Sequence, residues 1–320
     1  MKAAVLNKLG TSPQYQDFDE PIIEENQLLV NVKFSSIKNL DKLRASGTHY
    51  ASYKETPVIV GFDGVGELEN GDLVYAQGLT GMLAEKAVID KRKYTVLPNG
   101  IDCVSASALP NAVMGSALAL EKGGMKTGYN VLINGATGVT GKLAVQLAKY
   151  YNASKIIITG RNQLVLDELH KLGADVSINL TDKEDQIIEN LSELHQLQPV
   201  DLIIDYLWGR PVELIIKSLN SYGTTDAHKT TLVTVGDMAG KSINLESGFL
   251  RSNNFSIIGS GLGSLSHADM LRYNIEVLPK MFDLLAKKII NIDTLVDNLN
   301  NIENAWNMAI PNGKRLVIKI

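Results

Sequence analysis

The chain has 320 residues, too many for one small core, and its length points to about two domains. Hydrophobic residues make up 45% and charged residues 21%, an ordinary globular mix, and a net charge of −4 gives no general attraction to nucleic acid or anionic membrane. Cys103 is the only cysteine, which excludes an internal disulfide and a multi-thiolate zinc site. Met1 to Lys8 turns polar before an apolar signal region is complete, and no apolar run reaches the ~18 residues of a membrane span. A cytoplasmic location is expected. The five histidines are scattered, with no pair at i, i+4 spacing, and read as isolated side chains rather than metal ligands.

Residues 1–115 read as β-rich. Leu28 to Phe34, Leu73 to Ala76 and Tyr94 to Leu97 are short apolar or alternating runs punctuated by Gly, Pro and Asn. Between 116 and 262 the texture changes to continuous apolar runs separated by helical stretches. The runs are Val131 to Ile133, Ile156 to Thr159, Val176 to Ile178, Leu202 to Ile204, Leu232 to Val235 and Ser256 to Ile258. Unbroken Val/Ile runs between helices indicate parallel strands covered on both faces, hence an α/β fold with a doubly wound Rossmann sheet. Segment 263–320 holds a long helix over His267 to Lys288 and closes on an alternating strand, Arg315 to Ile320. That strand has the texture of the first half and is expected to return to it.

The first of these runs leads into Asn134-Gly135-Ala136-Thr137-Gly138-Val139-Thr140-Gly141, and a helix-forming stretch follows. Gly135 fits a tight turn, Gly138 a close backbone approach to a pyrophosphate, and Gly141 close helix–strand packing. The helix amino end adds free N–H groups and a positive dipole for the anion, with Thr137 and Val139 in the same loop. The stretch follows a strand, opens a helix and begins a run of βα units, so it reads as a dinucleotide site.

The second run ends Thr159-Gly160-Arg161-Asn162, with no carboxylate before Asp167. An NAD site places an acid about 20 residues past the glycine loop. Arg161 suits a 2′-phosphate instead, so NADPH is the expected cofactor. Further cofactor candidates follow later strands: Tyr206, Leu207 and Trp208, then Val235 and Gly236, then Gly259 and Ser260.

Taken together these residues resemble the medium-chain dehydrogenase/reductase superfamily, in its zinc-free quinone oxidoreductase-like (zeta-crystallin-like) branch. The likeness runs through Met1 to Val5, Gly61-Phe62-Asp63-Gly64-Val65-Gly66, Gly71 to Val74, Ala108-Leu109-Pro110, the glycine loop, Leu172 to Asp175, Asp201 to Asp205 and Gly313-Lys314. It implies a GroES-like β-rich catalytic domain from 1–115 and 263–320 around a Rossmann domain from 116–262. It also implies a basic cofactor residue at Lys314, and a homodimer formed by edge pairing of the last strands of two cofactor sheets.

The departures carry information. Zinc-dependent members place a Cys three residues before an Asp, and they have a Gly-His-Glu turn. Aligned on Asp41, the Cys position holds Lys38, and the turn reads Gly61-Phe62-Asp63, so no metal is expected. Zinc-free members place Asn three residues before that Asp and a Tyr after a nearby Gly. Here Asn39 stands two before Asp41, His49 falls at the Tyr position, and Tyr50 follows it. The family's Thr near the nicotinamide is replaced by Gly115, beside Ser116.

Without zinc, an acceptor that tolerates negative charge is expected: a quinone, or a conjugated carbonyl that becomes an enolate. Tyr50 or His49 is the candidate proton donor, Asn39 either touches the cofactor or caps the following helix, and Asp41 orients its neighbours. Two alternatives stay open: an enoyl-thioester reductase, and a non-catalytic NADPH-binding redox sensor or structural protein.

Overall fold

The computed structural model describes residues 1–219 and 228–320. The chain divides into two compact units, one built from 1–110 and 267–320, the other from 111–266. The first unit opens with β1 (Lys2–Leu6), β2 (Gln14–Asp17), β3 (Gln27–Ile37), helix α1 (Asn39–Ser46), β4 (Val58–Ile59), β5 (Asp63–Glu67), β6 (Leu73–Gly78) and β7 (Lys86–Val96). Strand β3 is long enough to pair three times: Gln27 to Asn31 lie against β7, Asn31 to Phe34 against β5, and Phe34 to Ile37 against β15. A register shift between Val32 and Phe34 interrupts its pairing with β5.

Helix α2 (Cys103–Lys122) carries Pro110, and the division between the units falls inside it rather than at 115. By length and composition α2 could cross a membrane, which corrects the sequence expectation that no segment was long and apolar enough. Its Ser and Asn residues break the apolar run that was sought, yet leave a mean hydropathy of 1.4 over 18 residues. In this fold 67% of that window is buried within the protein, as in a core helix.

The second unit follows as β8 (Asn130–Asn134), α3 (Val139–Tyr150), β9 (Lys155–Gly160), α4 (Gln163–Leu172), β10 (Val176–Asn179), α5 (Glu184–Leu197), β11 (Leu202–Asp205), α6 (Gly209–Ser218), β12 (Thr230–Thr234), α7 (Ser247–Ser252) and β13 (Phe255–Gly259). The strand order is β10-β9-β8-β11-β12-β13, parallel throughout, so every apolar run read from the sequence is a strand of one sheet. Leu132, Ile157, Ile203 and Leu232 lie fully buried in one cluster with Ile187, Leu191, Val212 and Ile215 from the covering helices. Order reverses between β8 and β11, the position where such sheets bind ligands beyond their strand ends.

The chain then returns to the first unit through α8 (His267–Arg272), a π-helical turn at Tyr273–Val277, α9 (Leu278–Ala286), β14 (Thr294–Asn298), α10 (Ile302–Asn307) and β15 (Arg315–Lys319). The expected long helix thus spans His267 to Ala286, with one wide turn inside it. Tyr273 in that turn is buried, and its hydroxyl donates to the Pro110 carbonyl at 2.7 Å. Strand β15 pairs antiparallel with β3 and parallel with β14, so it does rejoin the first unit. Its burial does not alternate as expected, because Leu316, Val317 and Ile318 are all enclosed.

Candidate cofactor site

The three glycines of the loop behave differently, and each difference has a steric cause. Gly135 has φ 87°, a left-handed conformation that L side chains avoid, and a Cβ there would lie 2.8 Å from Cγ of Leu207. Gly141 sits in the first turn of α3, where a Cβ would lie 2.6 Å from the Ala136 Cα. Helix and strand therefore approach as closely as the fold allows. Gly138 has φ −79°, and a Cβ there would meet no atom within 4 Å. Neither backbone conformation nor packing requires glycine at 138, which leaves open space in front of the loop as its reason. Gly138 is also the N-cap of the twelve-residue α3 and makes no side-chain cap bond. A cradle, a bare helix amino end and unfilled space fit a dinucleotide pyrophosphate. Thr137 is buried, and Gly160 is small because a Cβ there would lie 2.4 Å from Thr137 Cγ2.

Behind this loop lies a polar row that the sequence reading missed. Strand register aligns Thr159, Asn134, Asp205 and Thr234 across four neighbouring strands at their carboxyl ends. Thr159 Oγ1 donates to Asn134 Oδ1 at 2.6 Å and accepts from the Gly135 N–H at 3.1 Å. Asn134 Nδ2 donates to Asp205 Oδ1 at 2.8 Å. The Asp205 carboxylate also accepts the N–H groups of Leu207 at 3.0 Å and Trp208 at 3.1 Å, and it bonds Thr234. Burial raises the Asp205 carboxyl above its ordinary range, against the pull of those donors. The signal available in the sequence was a polar residue ending each of four apolar runs.

The loop after β11 is held in an uncommon shape. Trp208 has φ 54° and ψ −159°, a strained backbone for a large residue, fixed by its N–H bonds to Asp205. Its ring, partly buried, packs against the apolar cluster of the sheet. The Tyr206 hydroxyl donates to the Gly115 carbonyl at 2.9 Å, and burial raises its pKa. Gly115 itself is required by Thr140, since a Cβ at 115 would lie 2.7 Å from Thr140 Cγ2. Leu207 lies over Gly135 as described. Val235 and Gly236 both donate to the Asp205 carbonyl, at 2.8 and 3.4 Å. A Cβ on Gly236 would lie 2.8 Å from the Tyr206 carbonyl, so that glycine answers to the protein's own backbone.

Arg161 is exposed just past β9, beside the glycine loop's partner strand. Asn162 caps α4, its Oδ1 accepting from the Val165 N–H at 3.4 Å. Gly259 ends β13 with open space around it, and the buried Ser260 donates its N–H to the Thr234 carbonyl at 2.8 Å. The second unit thus brings the glycine loop, Tyr206 to Trp208 and Val235-Gly236 to the carboxyl ends of its central strands β8, β11 and β12.

The remaining candidates belong to the first unit. Asn39 is not the helix cap. The N-cap of α1 is Lys38, whose N–H donates to Asp41 Oδ2 at 2.9 Å, and Asn39 is the exposed first helical residue. The capping acid three residues on won over the expected Asn. Asp41 also accepts the Phe62 N–H at 2.9 Å, tying α1 to the turn before β5. His49 Nδ1 accepts from the Ala51 N–H at 3.1 Å. The Tyr50 ring rests on His49 with centroids 4.2 Å apart and is 84% exposed. Lys314 is exposed before β15. Burial and Asp102 push the Cys103 thiol up, as suits a packing residue. Among the described residues no cluster of three or more His, Cys, Asp and Glu side chains is placed to hold a metal ion.

Residues 139–287 match the family described as zinc-binding dehydrogenase. Among curated proteins, the chain is 30% identical to 2-methylene-furan-3-one reductase of Solanum lycopersicum over 50% of this chain and 46% of the relative. It is 31% identical to the chloroplastic NADPH-dependent alkenal/one oxidoreductase of Arabidopsis thaliana, over 55% and 50%. It is 26% identical to a probable NADPH-dependent quinone reductase, tdiC, of Emericella nidulans, over 91% and 92%. The chain spans about half the length of the first two of these relatives. Among solved structures, the quinone oxidoreductase of Thermus thermophilus, determined alone and with NADPH, superposes with TM-score 0.78 at 23% identity, covering 100% of both chains. A probable oxidoreductase of Mycobacterium abscessus gives 0.81 at 22%, covering 100% of this chain and 99% of its own.

Proposed function

We propose that this chain, which carries a zinc-binding dehydrogenase domain and the fold of the medium-chain dehydrogenase/reductase superfamily, is an NADPH-dependent, zinc-independent reductase of quinones or conjugated carbonyl compounds. The observation that carries the proposal is the glycine loop: Gly138 faces open space at the bare amino end of α3, while Gly135 and Gly141 are glycine for steric reasons of their own. In this reading the loop and Val139 hold the pyrophosphate, and Arg161 pairs with the 2′-phosphate. Leu207, Val235 and Gly236 line the path of the dinucleotide across the carboxyl ends of the strands, with Gly259, Ser260 and Lys314 as further contacts. The bound nicotinamide supplies a hydride equivalent. Small-molecule acceptors of this class are also what the names of the Arabidopsis and Emericella relatives describe.

The acceptor class follows from what the chain offers to charge. A quinone spreads an added negative charge over its ring, and a conjugated carbonyl takes it up as an enolate. Neither needs a fixed Lewis acid. Tyr50 is 84% exposed, so in this reading solvent water protonates the enolate and Tyr50 is at most an accessory donor. Strand β13 is the sheet's edge and only partly buried, which supports a homodimer formed by edge pairing.

The test is NADPH oxidation followed by absorbance with ortho-quinones, para-quinones, enones and an enoyl thioester, each against NADH. Turnover on quinones or enones with NADPH ahead of NADH supports the reading. The exposed Tyr50 favours one second reading, an NADPH-binding sensor. Tight NADPH binding without turnover on any acceptor would decide for it.

A further inference from the structure

The first unit gathers four charged groups, three of them almost fully buried, and no step of the proposed reduction uses them. Lys38 is 2% exposed, Asp41 0% and Asp63 2%. Lys38 Nζ lies 2.5 Å from Asp63 Oδ1 and 3.7 Å from Asp41 Oδ2, and it donates to the Ser36 carbonyl at 2.7 Å. Tyr75 donates its hydroxyl to Asp63 Oδ2 at 2.8 Å. Both Asp41 oxygens accept backbone N–H groups, from Lys38 and Phe62, at 2.9 Å. Arg315, whose Nε is enclosed, lies in the field of the same two carboxylates. Two cations therefore face two anions, and the oxygens of both acids are engaged.

We propose that the Lys38 ammonium is the resident cation of this centre. It supplies the positive charge that a metal supplies in a zinc-binding dehydrogenase, and the centre is closed to divalent cations. Three physical facts support this. An ammonium has no lone pair to offer a metal. The carboxylate oxygens already hold Lys38, Tyr75 and two main-chain N–H groups. A dication added to a buried set of balanced charges would leave two charges uncompensated, at a cost that burial makes large. The Lys38 and Asp63 side chains also join the start of α1 to the start of β5, the link that a metal shared between these segments would make. The residues present do not fit zinc, and this proposal stands whether or not the chain reduces quinones.

The test combines zinc content with a double-mutant cycle on the full chain. Lys38→Met leaves two carboxylates facing one cation, Asp63→Asn leaves two cations facing one carboxylate, and the double variant restores balance. Each single variant is expected to lower the melting temperature by about 10 °C, and the double, with its charges balanced again, to melt clearly above the less stable single. Singles that fail to fold beside a double that folds are the same result in stronger form. Added equimolar zinc is expected to leave the wild-type melting temperature unchanged. Additive losses, or a double no more stable than the worse single, would overturn the proposal. So would stoichiometric zinc in the wild type that Asp63→Asn releases, whereas zinc that Asp63→Asn retains is bound elsewhere and leaves the proposal standing.

Discussion

The side-chain amide of Asn134 donates to Oδ1 of Asp205 at 2.8 Å across 71 residues of sequence, and this bond ties the glycine loop to the loop after β11. Asn134 is the last residue before Gly135, and Asp205 holds the N–H groups of Leu207 and Trp208. One carboxylate thereby fixes two segments of the candidate cofactor site. Asp205→Asn replaces one of the two oxygens that hold these donors with an NH2 group and is expected to cost roughly 1–3 kcal/mol, read by urea denaturation, with weaker NADPH binding.

That cost should depend on pH. Burial raises the Asp205 carboxyl above 3.8, its value when free. Between the free and the folded value the folded state holds the proton that the unfolded chain has released. The contribution of this group is then present in full below about pH 4 and is lost as pH rises through the folded value. The stability gap between wild type and Asp205→Asn should be widest in acid and narrow toward neutrality. Urea midpoints of both proteins at pH 4, 5.5 and 7.5 check it, and a gap that widens with pH would contradict it.

Gly141→Ala should damage the fold itself. The new Cβ would meet the Ala136 Cα at 2.6 Å and the Gly135 carbonyl at 2.7 Å, both main chain with no flexible end to yield. A loss of about 2 kcal/mol or more is expected in chemical denaturation. A neutral Gly141→Ala would mean that α3 can slide away from β8.

Arg161→Ala is expected to weaken NADPH binding by about 10- to 100-fold and to leave NADH binding unchanged, as for loss of a hydrogen bond to a charged group. Calorimetric titration of both cofactors reads this. Equal losses for the two, or none, would remove Arg161 as the 2′-phosphate partner.

Tyr50→Phe should leave stability within about 0.5 kcal/mol, because the ring is 84% exposed. Turnover on an enone should stay within about threefold of wild type if water protonates the product. A loss of about 100-fold or more would make Tyr50 the proton donor.

The sheet was legible because its strands are continuous Val/Ile runs, and the glycine loop because its spacing follows a strand and opens a helix. The polar row was not, since Thr159, Asn134, Asp205 and Thr234 meet only through strand register, which residue order does not state. For the same reason Lys38 read as a missing metal ligand, whereas its partner Asp63 lies beyond α1 and β4, at the start of β5. Asn39 looked like a cap because Asn favours that position, but Asp41 bonds the backbone one residue earlier. The wide turn at Tyr273 has no marker in the periodicity of 267–288, and its reason is a buried hydroxyl bonded to Pro110. Trp208 looked like a cofactor wall because it follows a strand end, and its partly buried ring packs against the sheet's apolar cluster, which strand order alone does not state.

The most direct measurement is NADPH affinity in Gly138→Ala against wild type, with the melting temperature of each. The φ of −79° suits alanine and the added methyl meets no protein atom, so the melting temperature should not fall. The methyl would instead occupy the space assigned to the pyrophosphate, and NADPH affinity should fall about tenfold or more. Unchanged affinity in a folded Gly138→Ala protein would place the dinucleotide somewhere other than this loop and would contradict the central claim.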